Sequence, residues 1–454
     1  MKKSSTKKGK KNINKILLKI SLLLLGMSVN VVQAAGVKST ELSSVGEQKT
    51  LIILLRFKDS KSVPFAKEEF HEVFFEGEIQ KIYKEMSYGK MWLSGDVAGW
   101  YTLPDKIHYE HGCEPYFAGA STEQEDEVYK HIKDDLIKDS INVLGYDRFI
   151  ILYDGCTRTS YNFGMADLSF ENTSHRASVI YLSLMIYERS WNLAKHFDDM
   201  DGRNSYGFRN EIVHELGHSL GIQGHSNKFD CGNKILHGKC SSDEYCNDFD
   251  VMGFGTFAIH FSSYWKELLG WFENDDILEI KKSGRYTLYL LEENQGVRLL
   301  KIPIDRDGNT FYLEYRKPVG YDKYESFSLN TEGQGGLFVN LILKGINSIS
   351  LLDFSPDSPE GHTRSHVSLR PNHIFYDYKN GIGIGPIKIK ENSLDIDIKF
   401  FKPDKEKDEK LLEISSYPPA PSDDYTRDIN LIESSFSHII TKVEYFKVTK
   451  VEGF

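Results

Sequence analysis

The segment HELGHSLGIQGH, residues 214–225, places three histidines and one glutamate within twelve residues. His214 and His218 are four residues apart, so on a helix both side chains lie on one face and can bind a single ion at about 2.0–2.1 Å. The opposite face is apolar, which predicts a helix packed against a core. Its residues are Ile212, Val213, Leu216 and Leu220.

The remainder of the segment predicts a third ligand and a base. Gly221 ends the helix, as a left-handed glycine does, and the chain can then turn back to present His225. Glu215 is one residue past His214, so its carboxylate lies near the ion without ligating it. The spacing therefore predicts one catalytic Zn²⁺ bound by His214, His218 and His225, with Glu215 as general base beside a metal-activated water.

A second motif overlaps the first, because GHSLG at 217–221 matches the G-x-S-x-G nucleophile elbow of α/β-hydrolases. An elbow requires a strand before the serine and a helix after it. Here helical spacing precedes Ser219 and a glycine-rich break follows it. A serine hydrolase that uses Ser219 is therefore the least favoured alternative.

The first 34 residues have the composition of a secretory signal peptide, with eight lysines, no acid and an apolar run at 20–26. A short membrane anchor is the alternative, but that run is well below the ~20 residues needed to span a bilayer. Removing the eight lysines changes the formal net charge from −10 to −18. We expect a secreted, extracellular protein that binds no nucleic acid and does not stay on a membrane after cleavage, with its oligomeric state undetermined.

Five cysteines in an exported chain predict disulfide bonds. They are Cys113, Cys156, Cys231, Cys240 and Cys246. We expect one bridge between the first two and one among the last three, which leaves a single thiol. A second zinc site is disfavoured, because Cys-x8-Cys-x5-Cys is not a zinc-ribbon spacing.

Strand and helix patterns alternate through the first part of the chain. The strands are expected at 50–57, 91–100 and 149–153, and the helices at 66–86 and 122–144. This alternation predicts an α/β (α+β) catalytic domain over residues 35–272, with a twisted, mostly parallel sheet that carries the zinc helix.

Beyond residue 272 the pattern is rich in short strands. Strands are expected at 286–291, 297–304 and 310–315, and a hairpin around Glu391-Asn392. A β-rich, sandwich-like C-terminal domain over 273–402 is predicted. Residues 403–454 are charged and proline-rich, and are expected to be a linker and terminal tail.

Two further segments have open interpretations. Residues 177–187 are strand-like, and would be either an edge strand that pairs with an extended substrate or an internal core strand. An oxygen-rich loop follows, with Asp198, Asp199, Asp201 and Asn204. Ca²⁺ binding there is an unsupported option, because the loop lacks the D-x-D-x-D-G pattern, and a solvated loop is favoured.

Several segments together resemble the secreted metzincin peptidases of the gametolysin-like type. They are HELGHSLG, the histidine of GHSNKFDC, DFDVMGFG, HFSSYWKELLGW at 260–271 and SYGKMWLSGDVAGWYTLP at 87–104. The resemblance spans about residues 51–271, and the part up to 402 is similar to the C-terminal portion of such proteins. It implies a metzincin-like fold, Met252 as the Met-turn beneath the metal, and endopeptidase activity.

The chain departs from that family pattern at two places. The family spacing is HExxHxxGxxH, whereas three residues separate Gly221 from His225 here. Gly224 can absorb the extra residue, and Asp230 or His237 is the alternative third ligand. At the second place Phe254 stands where some metzincins carry a tyrosine that assists the transition state. The sequence does not decide between Tyr245, His260 and Tyr264 as a replacement.

The expected activity is that of a secreted zinc metalloendopeptidase, a hydrolase that cleaves peptide bonds in extracellular proteins or glycoproteins. The competing hypothesis is an exported adhesin or glycan-binding protein with an inert metalloprotease core. The intact Glu215 argues against an inert core, because a purely structural site has no use for a base. No sequence feature identifies the substrate.

Overall fold

The computed structural model describes nine stretches of the chain. They are residues 42–58, 65–103, 132–154, 160–170, 173–184, 205–255, 259–323, 335–356 and 367–414. The signal peptide, Cys113, Cys156, the oxygen-rich loop at 198–204 and the tail beyond 414 lie outside these stretches, so the predictions made for them stay predictions.

The first sheet has five strands. They are β1 (Gly46–Phe57), β2 (Met91–Leu103), β3 (Arg148–Asp154), β4 (Ser160–Phe170) and β5 (Thr173–Leu184). Their order is β2-β1-β3-β5-β4, with parallel pairing except for the antiparallel β4. The predicted mostly parallel sheet is confirmed. Because β5 has a neighbour on each side, the internal-strand interpretation of residues 177–187 is the one observed over 177–184, where the structure describes this segment, and β4 forms the edge.

Helices cover this sheet because β1 is apolar on both faces. The helices are α1 (Lys67–His71), α2 (Glu78–Met86), α3 (Ser205–Ser219) and a helical segment at 132–138, with a π-helical turn at Glu72–Glu76. Ile52 and Leu54 pack in one core with α2 and α3, while Leu51 and Ile53 pack in another with the segment at 132–138. Burying each such side chain contributes about 1.5–3 kcal/mol.

The single helix predicted over 66–86 is interrupted. Gly77 has non-helical torsion angles, φ −96° and ψ −139°, between the π-helical turn and α2. A β-carbon built on Gly77 would lie 2.9 Å from the Glu72 carbonyl oxygen. The backbone at the break therefore lies so close to Glu72 that a larger residue would not fit.

The second sheet has seven strands. They are β6 (Ser226–Asp230), β7 (Ser241–Asp243), β8 (Ile277–Glu279), β10 (Leu299–Pro303), β11 (Thr310–Arg316), β12 (Gly336–Ile342) and β13 (Ile349–Leu352). Their order is β7-β6-β13-β12-β11-β10-β8. The short helix α4 (Ser263–Leu268) precedes β8. Since β6 pairs in parallel with β13, this sheet crosses residue 272, where a domain boundary was predicted.

The third sheet has five strands. They are β9 (Gly284–Tyr289), β14 (His373–Asp377), β15 (Ile382–Ile389), β16 (Ser393–Phe400) and β17 (Lys410–Glu413). Their order is β17-β14-β15-β16-β9. The antiparallel β15–β16 pair confirms the hairpin around Glu391-Asn392. β17 lies within the stretch predicted as linker and pairs with β14. Apolar residues of the second and third sheets share one core, as expected of a sandwich-like arrangement.

Two smaller observations complete the fold. Cys231 and Cys240 form a disulfide in the loop between β6 and β7, which confirms the bridge expected among the last three cysteines. Within the described residues, no helix combines the length and the apolar character that crossing a membrane requires.

Candidate metal centre

The helix α3 places two imidazoles on one face. His214 and His218 lie near its C-terminal end, with ring centroids 4.8 Å apart. The opposite face is buried as predicted, since Ile212, Val213 and Leu216 have 0% exposure. The apolar face fixes the rotation of the helix about its axis, and this rotation directs both histidines away from the core.

His225 joins this pair from outside the helix. Gly221 has φ +117°, a conformation open mainly to glycine, and it ends the helical path two residues after α3. The chain turns back, and His225 immediately precedes β6. Its ring centroid lies 5.5 Å from that of His214 and 5.1 Å from that of His218.

Each ring is oriented by an acceptor at its Nδ1 atom. The Nδ1 of His214 lies 2.7 Å from the Val251 carbonyl oxygen, and that of His218 lies 2.7 Å from the Ile222 carbonyl oxygen. The Nδ1 of His225 lies 2.6 Å from Glu244 Oε1. Because these partners accept, Nδ1 carries the proton in each ring and Nε2 is left as a possible ligand atom.

The three rings converge. One ligand atom from each of His214, His218 and His225 lies within 4.8 Å of the others. Among the described residues, these three form the group of His, Cys, Asp or Glu side chains that is close enough to hold a metal ion. The Nε2 atoms of His214 and His218 are 3.1 Å apart. Two ligands of a tetrahedral ion at 2.0–2.1 Å would be about 3.3 Å apart, so the spacing fits a shared metal ion.

The protonation states agree with that fit. Burial and the neighbouring His218 ring lower the pKa of His214 to about 3, and burial also lowers the pKa of His218. Both rings are therefore neutral near pH 7, and with Nδ1 protonated they turn lone pairs toward each other. Two facing lone pairs repel, whereas a cation between them makes the arrangement favourable. A donor set of three imidazoles suits zinc.

Glu215 follows His214 on α3 and has only 7% of its surface exposed. Burial raises the pKa of both Tyr83 and Tyr245, and the Glu215 carboxylate raises both further, which places its charge near these two rings. Tyr83 is itself fixed by donating its hydroxyl to the Val213 carbonyl oxygen at 2.7 Å. The residue predicted as the base is therefore a buried carboxylate whose charge acts on Tyr245, a ring that lies against His225.

Met252 packs beneath the helix. It has no exposed surface, and a β-carbon built on Gly217 would lie 2.7 Å from the Met252 sulfur. Gly217 directly precedes His218, so Met252 packs against the part of α3 that carries the two histidines. The turn that carries Met252 is held by the buried Asp250, whose Oδ1 accepts the Met252 amide at 2.8 Å. Asp250 and Met252 thus fix this turn against α3.

Ser219 is not placed as a nucleophile elbow. It is the last residue of α3, it is buried, and its hydroxyl accepts from Arg148 Nη1 at 3.0 Å. The same Nη1 donates to the Ser219 carbonyl oxygen at 2.6 Å. A cation at the C-terminal end of a helix is favoured by the helix dipole. Ser219 and Arg148 thus hold the end of the helix in place. An elbow needs a strand before the serine, whereas here the helix α3 precedes it.

The two alternative third ligands lie elsewhere. His237 Nε2 is 2.7 Å from the carboxylate of Asp377 at the end of β14. Asp230 accepts the Gly232 amide at 2.7 Å within its own turn. His225 is therefore the residue that accompanies the helical pair, in spite of the longer spacing.

Of the three candidates for a transition-state donor, the structure brings Tyr245 to the cluster. Its ring centroid lies 4.0 Å from that of His225 and 6.0 Å from that of His214. His260 is instead fully buried beside Glu85, at 3.0 Å. Tyr264 packs against Trp265 and Tyr312. Phe254, at the position where some metzincins carry a tyrosine, is 57% exposed.

Sequence reasoning missed Glu244. Its carboxylate holds the His225 ring, yet it lies nineteen residues further along the chain, past the disulfide loop. No periodic pattern connects the two positions, because the contact depends on how β6 and β7 pair. A glutamate immediately before a candidate tyrosine was the only local signal.

Comparisons with known proteins give a structural alignment but no sequence match. No protein-family model and no curated protein matches the chain. A catalytically inactive OgpA from Akkermansia muciniphila, in complex with the O-glycopeptide substrate glycodrosocin, is 12% identical, with 69% of this chain and 85% of that chain covered and a TM-score of 0.27. Two crystal forms of wild-type OgpA align similarly. One is 11% identical (76% and 92% covered, TM-score 0.28) and the other 13% (72% and 93%, TM-score 0.29). TM-scores this low do not establish a shared fold.

Proposed function

We propose that this chain is a secreted zinc-dependent endopeptidase that hydrolyses peptide bonds in extracellular proteins or glycoproteins. One observation carries the proposal: three imidazoles, each oriented through Nδ1, bring their ligand atoms within 4.8 Å of one another beside the buried carboxylate of Glu215. The proposed ligands of a single zinc ion are His214, His218 and His225.

The roles of the residues follow from their positions. A bound zinc ion would polarise the substrate carbonyl and lower the pKa of the attacking water to about 7. Glu215 accepts the proton of the attacking water and passes it to the leaving amine. Because its carboxylate is held on a helix and shielded from solvent, the base is already in place before the substrate arrives.

Tyr245 is the proposed hydrogen-bond donor to the oxygen that becomes negative during the reaction. Its ring lies against His225 on the side of the cluster where the Glu215 charge is felt. A phenol hydroxyl fixed near that oxygen stabilises the transition state without reorganising. It would thus donate the hydrogen bond that Phe254, which has no hydroxyl, cannot donate.

A metzincin-type arrangement of the catalytic region is part of the proposal. It is supported by the packing of the buried Met252 against Gly217 of α3 and by the mostly parallel sheet that precedes α3. The alternative of an adhesin with an inert core is less favoured, because the intact Glu215 has no role in a site that only binds.

The test is cleavage of a quenched fluorescent protein substrate and of a glycoprotein mixture, with and without a zinc chelator. Glu215→Gln is compared with Glu273→Gln, a surface glutamate paired with Lys90. We expect the chelator to abolish cleavage, zinc to restore it, and Glu215→Gln to lower kcat by about 10²–10⁴ while zinc stays bound. The Glu273 variant should match the wild type.

Two results would contradict the proposal. Cleavage that resists the chelator and survives Glu215→Gln would exclude the metal mechanism, and labelling of Ser219 by a serine-directed probe would support a serine hydrolase instead. Tight glycan or matrix binding with no cleavage at any zinc concentration would support the adhesin.

A further inference from the structure

The backbone of His225 is held by a strand far along the chain. β6 starts at the next residue and pairs in parallel with β13, with Ser226 opposite Ile349. The amide of Ile349 donates to the His225 carbonyl oxygen at 3.2 Å. The third histidine is thus positioned from the β-rich half of the molecule, more than 120 residues downstream.

The hairpin that joins β12 to β13, residues 343–348, also contacts the residue before His225. A β-carbon built on Gly224 would lie 1.2 Å from the Asn347 carbonyl oxygen and 2.4 Å from its carbonyl carbon. Gly224 does not have a positive φ, so glycine is required there by lack of space and not by backbone conformation. The Asn347 side chain adds a contact, with its Nδ2 3.4 Å from Gln223 Oε1.

The turn that carries Met252 holds the same segment from the other side. The Ser226 amide donates to the Met252 carbonyl oxygen at 2.9 Å, and the Ser226 hydroxyl donates to Asp250 at 2.7 Å. The backbone that follows His225 is therefore hydrogen-bonded on both edges, to the turn that carries Met252 and to β13.

We infer that the 343–348 hairpin is a positioning element for His225, and that the close contact of Gly224 with Asn347 sets the affinity of the site for its metal ion. The inference rests on the proposed function, in that the three histidines bind zinc. It also explains how the chain uses one residue more than the family spacing: the extra residue lets Gly224 dock on the hairpin before His225 turns toward the helical pair.

The first arm of the test compares Gly224→Ala with Gly145→Ala. Gly145 also lacks a positive φ, but a β-carbon there has its nearest neighbour at 3.9 Å. Zinc affinity is measured by competition with a chromophoric chelator, and the stability of the metal-free protein by urea unfolding. We expect Gly224→Ala to lower zinc affinity at least tenfold, the range seen when an outer partner of a metal ligand is lost. Gly145→Ala should leave zinc affinity unchanged.

The second arm needs no variant, so it holds even if Gly224→Ala fails to fold. Coupling between two sites is reciprocal, so zinc binding should stabilise the hairpin that positions His225. Hydrogen exchange of the Ile349 amide, which directly follows the hairpin at the start of β13, should slow at least tenfold when zinc is added to the wild-type protein, although Ile349 is not a ligand. The control is the Lys390 amide, which donates to the Ser393 carbonyl oxygen at 2.8 Å in the β15–β16 hairpin and should not change.

The outcomes separate the inference from the proposed function. Zinc binding by a folded Gly224→Ala variant within twofold of the wild type, or equal Ile349 exchange with and without zinc, would overturn the inference and leave the peptidase proposal standing. A wild-type protein that binds no zinc would overturn the proposed function and the inference with it.

Discussion

The helical pair and the third histidine reach the same point by different means. His214 and His218 are four residues apart on α3, and each ring is oriented by a backbone carbonyl oxygen. His225 lies beyond a glycine break, its ring is oriented by the side chain of Glu244, and its backbone is held by β13. The helical pair depends on local sequence, whereas the third position depends on tertiary contacts that substitutions elsewhere can remove.

The largest effect is expected on zinc affinity, and it should distinguish His225 from His237 as the third ligand. His225→Ala removes one of three ligands, so zinc affinity should fall by more than the 10–100-fold typical of an outer partner. His237→Ala should keep wild-type affinity, because that imidazole is paired with Asp377. Competition with a chromophoric chelator measures both. The reverse ranking would mean that the loop presents a different ligand.

The next largest effect is expected for Tyr245→Phe, which removes the hydroxyl of the tyrosine that lies against His225. Removing one preorganised donor from a reaction that develops negative charge costs about 10²–10³ in kcat. We expect a loss of that order with unchanged zinc content and KM, and no loss for Tyr264→Phe, whose ring packs on Trp265. Full activity of Tyr245→Phe would remove this residue from the mechanism.

A smaller effect is expected for Glu244→Gln. The amide can still accept from the His225 ring, but it lacks the negative charge that favours a cation bound by that ring, so zinc affinity should fall about 10-fold, the low end for such partners. Glu279→Gln, at a surface ion pair with Lys281, serves as the control. No equivalent side-chain variant exists for the helical pair, because the partners there are backbone carbonyls. Equal affinities in both variants would show that Glu244 has no part in the site.

The difference between the helical pair and His225 also explains what the sequence could predict. The helix, its buried face and the glycine stop follow from spacing alone, as does the apolar strand β1, and all are observed. The contacts of Gly224 with Asn347 and of His225 with Glu244 join positions without a shared periodicity, so no pattern marks them. The seven-stranded sheet was missed for the same reason, since β6 pairs with a strand beyond residue 272.

The smallest effect concerns pH and the metal-free protein. The folded-state pKa values of His214 and His218 are lowered by burial, that of His214 to about 3, from ordinary values near 6.5. Between those values the unfolded chain binds more protons than the folded one, so the free energy of unfolding should fall as the pH drops below about 6.5. Urea unfolding of the metal-free protein from pH 8 to pH 5 measures this. His214→Phe should flatten the pH dependence, and an unchanged slope would contradict the assignment.

The most direct test of the metal centre is X-ray absorption at the zinc edge of the protein loaded with one equivalent of zinc. The account predicts nitrogen or oxygen ligands at about 2.0–2.1 Å with the outer scattering of three imidazoles, and loss of one imidazole in His225→Ala. A sulfur shell at about 2.3 Å, or an imidazole count that does not change in His225→Ala, would contradict it.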